Sequence, residues 1–273
     1  MLQTKEEIEQ WLNQMEIINY KINEDLTVDV NDDVNLNNKN LKEISIQFGL
    51  VKGNFNCSYN KLTSLEGCPR IINGYFNCSF NKLTSLEYCP QIIQGDFLCY
   101  NNKLTSLEGC PRIINGYFNC SFNKLTSLEG CPQIIKGSFD CSDNQLISLE
   151  GCTQIIDGYF DCYNNKLISL EGCPQIVDGD FYCRNNQLTS LEGCPQKIGG
   201  SFDCSYNQLT SLEGCTQEIG EIFDCSNNPL PQDLIELLEN NEDSIKTIKS
   251  YYLEKELNEE LNNNKIEKKL NKI

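Results

Sequence analysis

The chain has 273 residues, 22 of them Lys or Arg and 39 Asp or Glu, for a net charge of −17, and it has no histidine. The missing histidine removes the commonest general base and metal ligand, and the acidic balance disfavours direct nucleic-acid binding, which needs a basic face. No run of about 18 apolar residues occurs, so no membrane-spanning segment is expected.

The first residues, MLQTKEEIEQ, have neither the basic patch nor the apolar run of a signal peptide. Thr4-Lys5-Glu6-Glu7 is a capping box that opens a helix. Ile8, Trp11, Leu12 and Met15 then fall on one face at helical spacing. The helix is expected to cover the first coil of the region beyond residue 30, with the only tryptophan as its plug. Residues 20–33 read as a short strand or hairpin. Residues 1–29 are therefore assigned as an N-terminal helical cap with a lead-in strand.

From residue 30 to 230 the sequence repeats with a period of 21 residues. The motif F-x-C-x-x-N-x-L runs from Cys57 to Cys225, with an asparagine three residues after each cysteine, Asn60 to Asn228. A second cysteine series runs from Cys68 to Cys215, and the two series account for all 17 cysteines. PRIINGYFNCSFNKLTSLE stands word for word at 69–87 and 111–129, twice the period apart. Val34, Leu36, Leu41 and Ile44 lie one period before Phe55, Cys57, Leu62 and Leu65, a degenerate first copy, which makes about ten coils. Within F-x-C the apolar residues alternate with polar ones, as in a strand with one buried face. Such a segment is stable only when the next coil stacks beside it in parallel. Glycines such as Gly74 and Gly95 precede the strand at a tight bend, and prolines such as Pro69 and Pro90 mark the return leg as extended. The recurring asparagine reads as a ladder bonding the backbone at a turn.

Beyond the repeats, Pro231 can start a helix whose Leu234, Ile235, Leu237 and Leu238 shield the last coil. A second helix, over about 243–261, carries Ile245, Ile248, Tyr252 and Leu257, and the charged tail 262–273 is expected to fray. Residues 231–273 are assigned as a C-terminal helical cap and tail.

F-N-C-S-F-N-K-L resembles the leucine-rich repeat core L-x-L-x-x-N-x-L, and L-T-S-L-E-G-C-P resembles the short bacterial type of that repeat. The resemblance spans 30–230; the unit has 21 residues where the short form usually has 20, and cysteine replaces an aliphatic residue. It implies a solenoid of the α/β repeat class, a curved right-handed coil. Its parallel β-sheet lines the concave face, its convex side is mostly extended, and helices cap both ends.

Catalytic signatures are wanting. There is no phosphate-binding G-x-x-x-x-G-K-[ST] and no G-x-S-x-G elbow. The cysteine gaps alternate between 11 and 10 residues, unlike the short pairs of zinc sites, and the thiols read as core filler. The glutamate series from Glu66 to Glu213 repeats a solvated position and makes no single carboxylate special. No cofactor, metal or enzymatic activity is expected; calcium on stacked aspartates lacks the wrapping loop that ion prefers. Seventeen cysteines without an export signal point to a reducing cytoplasm.

Outward strand positions are free to differ between coils. Aromatics recur there, including Tyr59, Phe80 and Phe122, and aspartates gather in the second half. The candidate partner-binding residues are Asp140, Asp143, Tyr159, Asp161, Tyr163, Asp180, Tyr182, Asp203, Tyr206 and Asp224. Tyrosine is a favoured interface anchor, and stacked like charges are normally avoided. The expectation is a monomeric protein-binding solenoid whose acidic, Tyr-rich concave face takes a basic protein surface. A nucleic-acid-binding defence nuclease is one such partner, with the chain as its anti-CRISPR-like inhibitor encoded by a phage or mobile element. The competing expectation is a cytoplasmic adaptor that recruits another protein through its helical C-terminus.

Overall fold

A computed structural model describes residues 1–241 and 243–270, with side chains through residue 261 apart from residue 242. Helix α1, Lys5–Gln14, opens with the capping box: the Thr4 hydroxyl accepts from Glu7 N–H and the Glu7 carboxylate accepts from Thr4 N–H. Ile8, Leu12 and Met15 are buried, and Trp11 packs edge-on against Phe48 at 6.2 Å between ring centres. An antiparallel hairpin, Tyr20–Ile22 with Val28–Val30, leads into the repeats.

Each coil contributes two strands, one to each of two sheets. A ten-stranded sheet contains the Phe dipeptides, from Val34–Asn35 and Phe55–Asn56 to Phe223–Asp224. An eleven-stranded sheet begins with the hairpin and continues through Phe48–Val51, Ile71–Ile72 and their successors to Glu218–Ile219. All pairings after the hairpin are parallel, and equivalent residues pair across the repeats, for example Phe118 with Phe139 and Ile113 with Ile134. The return leg is thus extended and also forms a sheet of its own. Its Ile-Ile pairs have one side buried: Ile72 and Ile114 are covered while Ile113 is 44% exposed.

The glycines do two different jobs. Leu65-Glu66-Gly67-Cys68 is a β-turn closed by Cys68 N–H to Leu65 O at 2.9 Å, with Gly67 at φ +90° in the third place, where a positive φ is required. Tyr88 alone breaks this column, at φ +65°. The column at Gly74, Gly95 and Gly137 is glycine because coils touch there: a Cβ on Gly137 would lie 2.6 Å from the carbonyl of Gly116.

The core is a stack. Phe76, Phe97, Phe118, Phe139, Phe160, Phe181 and Phe202 are fully buried, with consecutive ring centres 5.2 to 5.5 Å apart and planes within 21° of parallel. Cys57 to Cys204 in the strand series are buried, and the second cysteine series is buried or nearly so. Each repeat asparagine staples two coils. The Asn81 amide donates to the carbonyls of Cys57, Cys78 and Ser79, and its Oδ1 accepts from Leu62 N–H at 2.9 Å.

Helix α2, Gln232–Glu239, buries Leu234 and packs Ile235 and Leu238 on the last coil, but Leu237, on the flank of that face, is exposed. Helix α3, Ser244–Leu270, runs past the expected stop near 261, so 262–270 continues the helix, and 271–273 lie outside the described residues. Ile248 and Tyr251 are buried, whereas Leu257, expected to cap, is exposed. The Tyr252 hydroxyl accepts from Leu212 N–H at 2.8 Å, and the Tyr251 hydroxyl donates to Asp233, tying both helices to the solenoid end. No described helix is long and apolar enough to cross a membrane.

Candidate functional site

The outward face of the Phe sheet is built on a second polar ladder. The residue between Phe and Cys turns its Oδ1 back onto the N–H two residues ahead. Asn56 does so with Ser58, Asn119 with Ser121, Asp140 with Ser142, Asp161 with Tyr163, Asp203 with Ser205 and Asp224 with Ser226, at 2.8 to 3.1 Å. This Asx turn needs an acceptor oxygen and no charge. The first half of the solenoid fills it with asparagine except at Leu98 and the second half with aspartate except at Tyr182, so the charge is additional to the structural role.

The other two aspartates are held similarly. Asp180 accepts from Ser201 N–H at 2.7 Å and from the Tyr182 hydroxyl at 2.8 Å. Asp143, at φ +52°, accepts from the Asn164 amide at 2.6 Å. Outward strand positions imply that these acids project into open solvent. All six are instead half-buried, because the short side chains fold back onto their own strand end or onto the neighbouring coil.

Register brings Asp140 beside Asp161 and Asp203 beside Asp224, with Tyr182 between the pairs. Burial pushes the Asp161 carboxyl up to about 6, with the charges of Asp140 and Asp143 adding to it, against the Tyr163 N–H bond and Arg184. Burial and the bond to Asp180 push the Tyr182 hydroxyl up to about 12. Tyr159 is raised chiefly by burial and lies 5.8 Å from Tyr117, whose hydroxyl donates to Asp140. Arg184 is the cation within this group: its Nε is 3.6 Å from Asp203, and its guanidinium sits 4.7 Å over the Tyr163 ring. Tyr206 stands apart, exposed at φ +52°. The structure therefore gathers Asp140, Tyr159, Asp161, Tyr163, Tyr182 and Asp203 into one field, leaving Tyr206 and Asp224 at its end.

Averaging charge over the whole repeat region hides a polarity. Residues 51–137 carry 8 basic and 5 acidic side chains, a balance of +3, and residues 138–230 carry 3 and 14, a balance of −11. Among the described residues, no group of three or more Cys, Asp and Glu is placed to hold a metal ion.

No protein-family model matches the sequence, and no curated protein matches it. Among solved structures the fold is similar to YopM from Yersinia enterocolitica WA-314, with a TM-score of 0.51 and 23% identity over 72% of this chain and 47% of that one. The match therefore spans about half the length of that protein. YopM is a leucine-rich repeat protein. With stacked Phe strands, an asparagine ladder and a 21-residue register, this chain has the leucine-rich repeat fold, in a form with cysteine and phenylalanine in its core.

Proposed function

We propose that the chain is a non-enzymatic protein-binding solenoid whose second half grips a basic protein surface. One observation carries this reading. Six aspartates lie on the outward face between 140 and 224, at positions where asparagine serves the backbone equally well, with Arg184 beside them. Clustering carboxylates there opposes stability, so an opposite charge brought by a partner is the natural compensation. Tyr159, Tyr163 and Tyr182 supply flat apolar area between them.

Several features support a binding role over catalysis. The carboxylates are occupied as turn acceptors, and burial pushes the strand thiols from Cys78 to Cys204 far above the range where thiolates form. Seventeen free thiols support a reducing, cytoplasmic setting. A nuclease or another nucleic-acid-binding protein offers a basic groove of suitable chemistry, and filling it would make the chain an inhibitor. The test is capture of partners from lysate by the full chain at low and high salt. Basic partners released by salt are the expected result; partners held regardless of salt, or only acidic ones, would count against the reading.

A second reading has its own observation. Leu253, Leu257 and Leu261 on α3 are all at least half exposed and recur every four residues, and Leu253 lines a cleft of about 860 Å³ between α3 and the last coil. An adaptor that recruits through α3 would use this stripe. Replacing the three leucines by lysine would then abolish partner capture while leaving the solenoid folded.

A further inference from the structure

The first half of the same face has the opposite chemistry. Tyr59, Phe80 and Phe122 occupy a column in which every residue from 59 to 227 has φ between +51° and +55°. Other coils place Asn101, Asp143, Asn164, Asn185 and Asn227 there, the residue types that tolerate this conformation, and Tyr206 is the one further aromatic of the column. Bulky aromatics do not, and two of the three gain little burial in exchange: Tyr59 and Phe122 are 52% and 55% exposed, while Phe80 is half-buried. The Tyr59 and Phe80 rings stack at 4.1 Å, and Tyr100 packs edge-on against Phe80 at 5.2 Å. Backbone strain kept at an exposed site is a pointer to function.

Two residues further on in the same coils stand Lys61, Lys82, Lys103 and Lys124, all exposed. Each is separated from the aromatic column by a buried asparagine, so both columns face outward. Among the described residues none of the four makes an ion pair. The next coil carries Gln145 in this place. Beyond it the position holds Lys166, Gln187 and Gln208, so the unbroken lysine row lies in the first half and one lysine recurs among the aspartates.

We infer that the aromatic and lysine columns of the first half form a second docking strip, for an acidic segment of a partner protein that carries apolar side chains. Charge complementarity selects the acid, and the exposed rings select the apolar groups. A polyphosphate chain fits less well, because it has no apolar group to cover the exposed Tyr59 and Phe122 rings. The strip concerns the half of the face that the acidic field does not use, so either can fail without the other. If both hold, the polarity fixes the direction in which a partner lies along the solenoid.

The test uses the full chain and two variants that borrow residues from other coils. One is Lys61, Lys82, Lys103 and Lys124→Gln, and the other is Tyr59, Phe80 and Phe122→Asn. A display library of random peptides, about twelve residues long, is selected on the wild-type chain, and enriched peptides are titrated by calorimetry. Expected are peptides rich in Asp and Glu with interspersed aromatic or Leu residues, each variant binding them at least about tenfold more weakly. The Asn variant is also expected to melt no lower than wild type, since it relieves a disfavoured backbone. Enrichment without that composition, or equal binding by the Gln variant, overturns the proposal. So does a lowered melting temperature in the Asn variant, which would make the rings packing elements. An oligothymidylate of about twenty nucleotides binding as tightly as the peptides would assign the strip to nucleic acid and overturn it too.

Discussion

Asn123 shows how much one side chain carries. Its amide donates to the carbonyls of Cys99, Cys120 and Ser121 and its oxygen accepts from Leu104 N–H, all in buried surroundings. Asn123→Ala orphans these groups and is expected to cost about 2–5 kcal/mol, measured by chemical denaturation. Asp161 is expected to act in the other direction. Its carboxyl titrates near 6 in the folded chain, above an ordinary aspartate. The folded state thus holds a proton that the unfolded state has released between about pH 4 and 6. Stability from this group is fully present below that window and is lost as pH rises through about 6. Asp161→Asn keeps the turn acceptor, and it should raise stability at neutral pH by about 1–3 kcal/mol and flatten that slope. Tyr88→Gly should add about 1 kcal/mol by restoring the glycine that the turn prefers at φ +65°.

At the level of elements, the repeat period announces most of the architecture. Phe and Cys at alternate positions, with asparagine always three residues after the cysteine, leave little choice but a stacked parallel strand. The second sheet is harder to see. Ile71-Ile72 is two residues long, and a dipeptide has no period to read. The glycine before each Phe is legible as a bend, but its cause, the contact with the neighbouring coil, appears only in three dimensions. Gly137→Ala should therefore push the coils apart and cost about 1–3 kcal/mol, visible as a lowered melting temperature. The aspartates are legible as a cluster but not as turn acceptors, because asparagine and aspartate look different in a sequence and act alike at this backbone position. Likewise the positive φ of Tyr59 and Phe122 leaves no mark in composition.

At the scale of the whole molecule, the solenoid carries a charge gradient, slightly basic over 51–137 and strongly acidic over 138–230. Such a gradient orients an approaching protein before contact and weakens as salt screens it. The C-terminal helices cover the end of the solenoid, with Leu234 buried and Tyr252 bonded to Leu212 N–H. The central claim is that the second-half aspartates make the binding contacts, and its most direct measurement is the affinity of a purified basic partner for the chain and for its Asp161, Asp180, Asp203 and Asp224→Asn variant. With each of these half-buried charges worth about 0.5 kcal/mol, the variant should bind about thirtyfold more weakly and with a shallower salt dependence. An unchanged affinity in a correctly folded variant would contradict the claim.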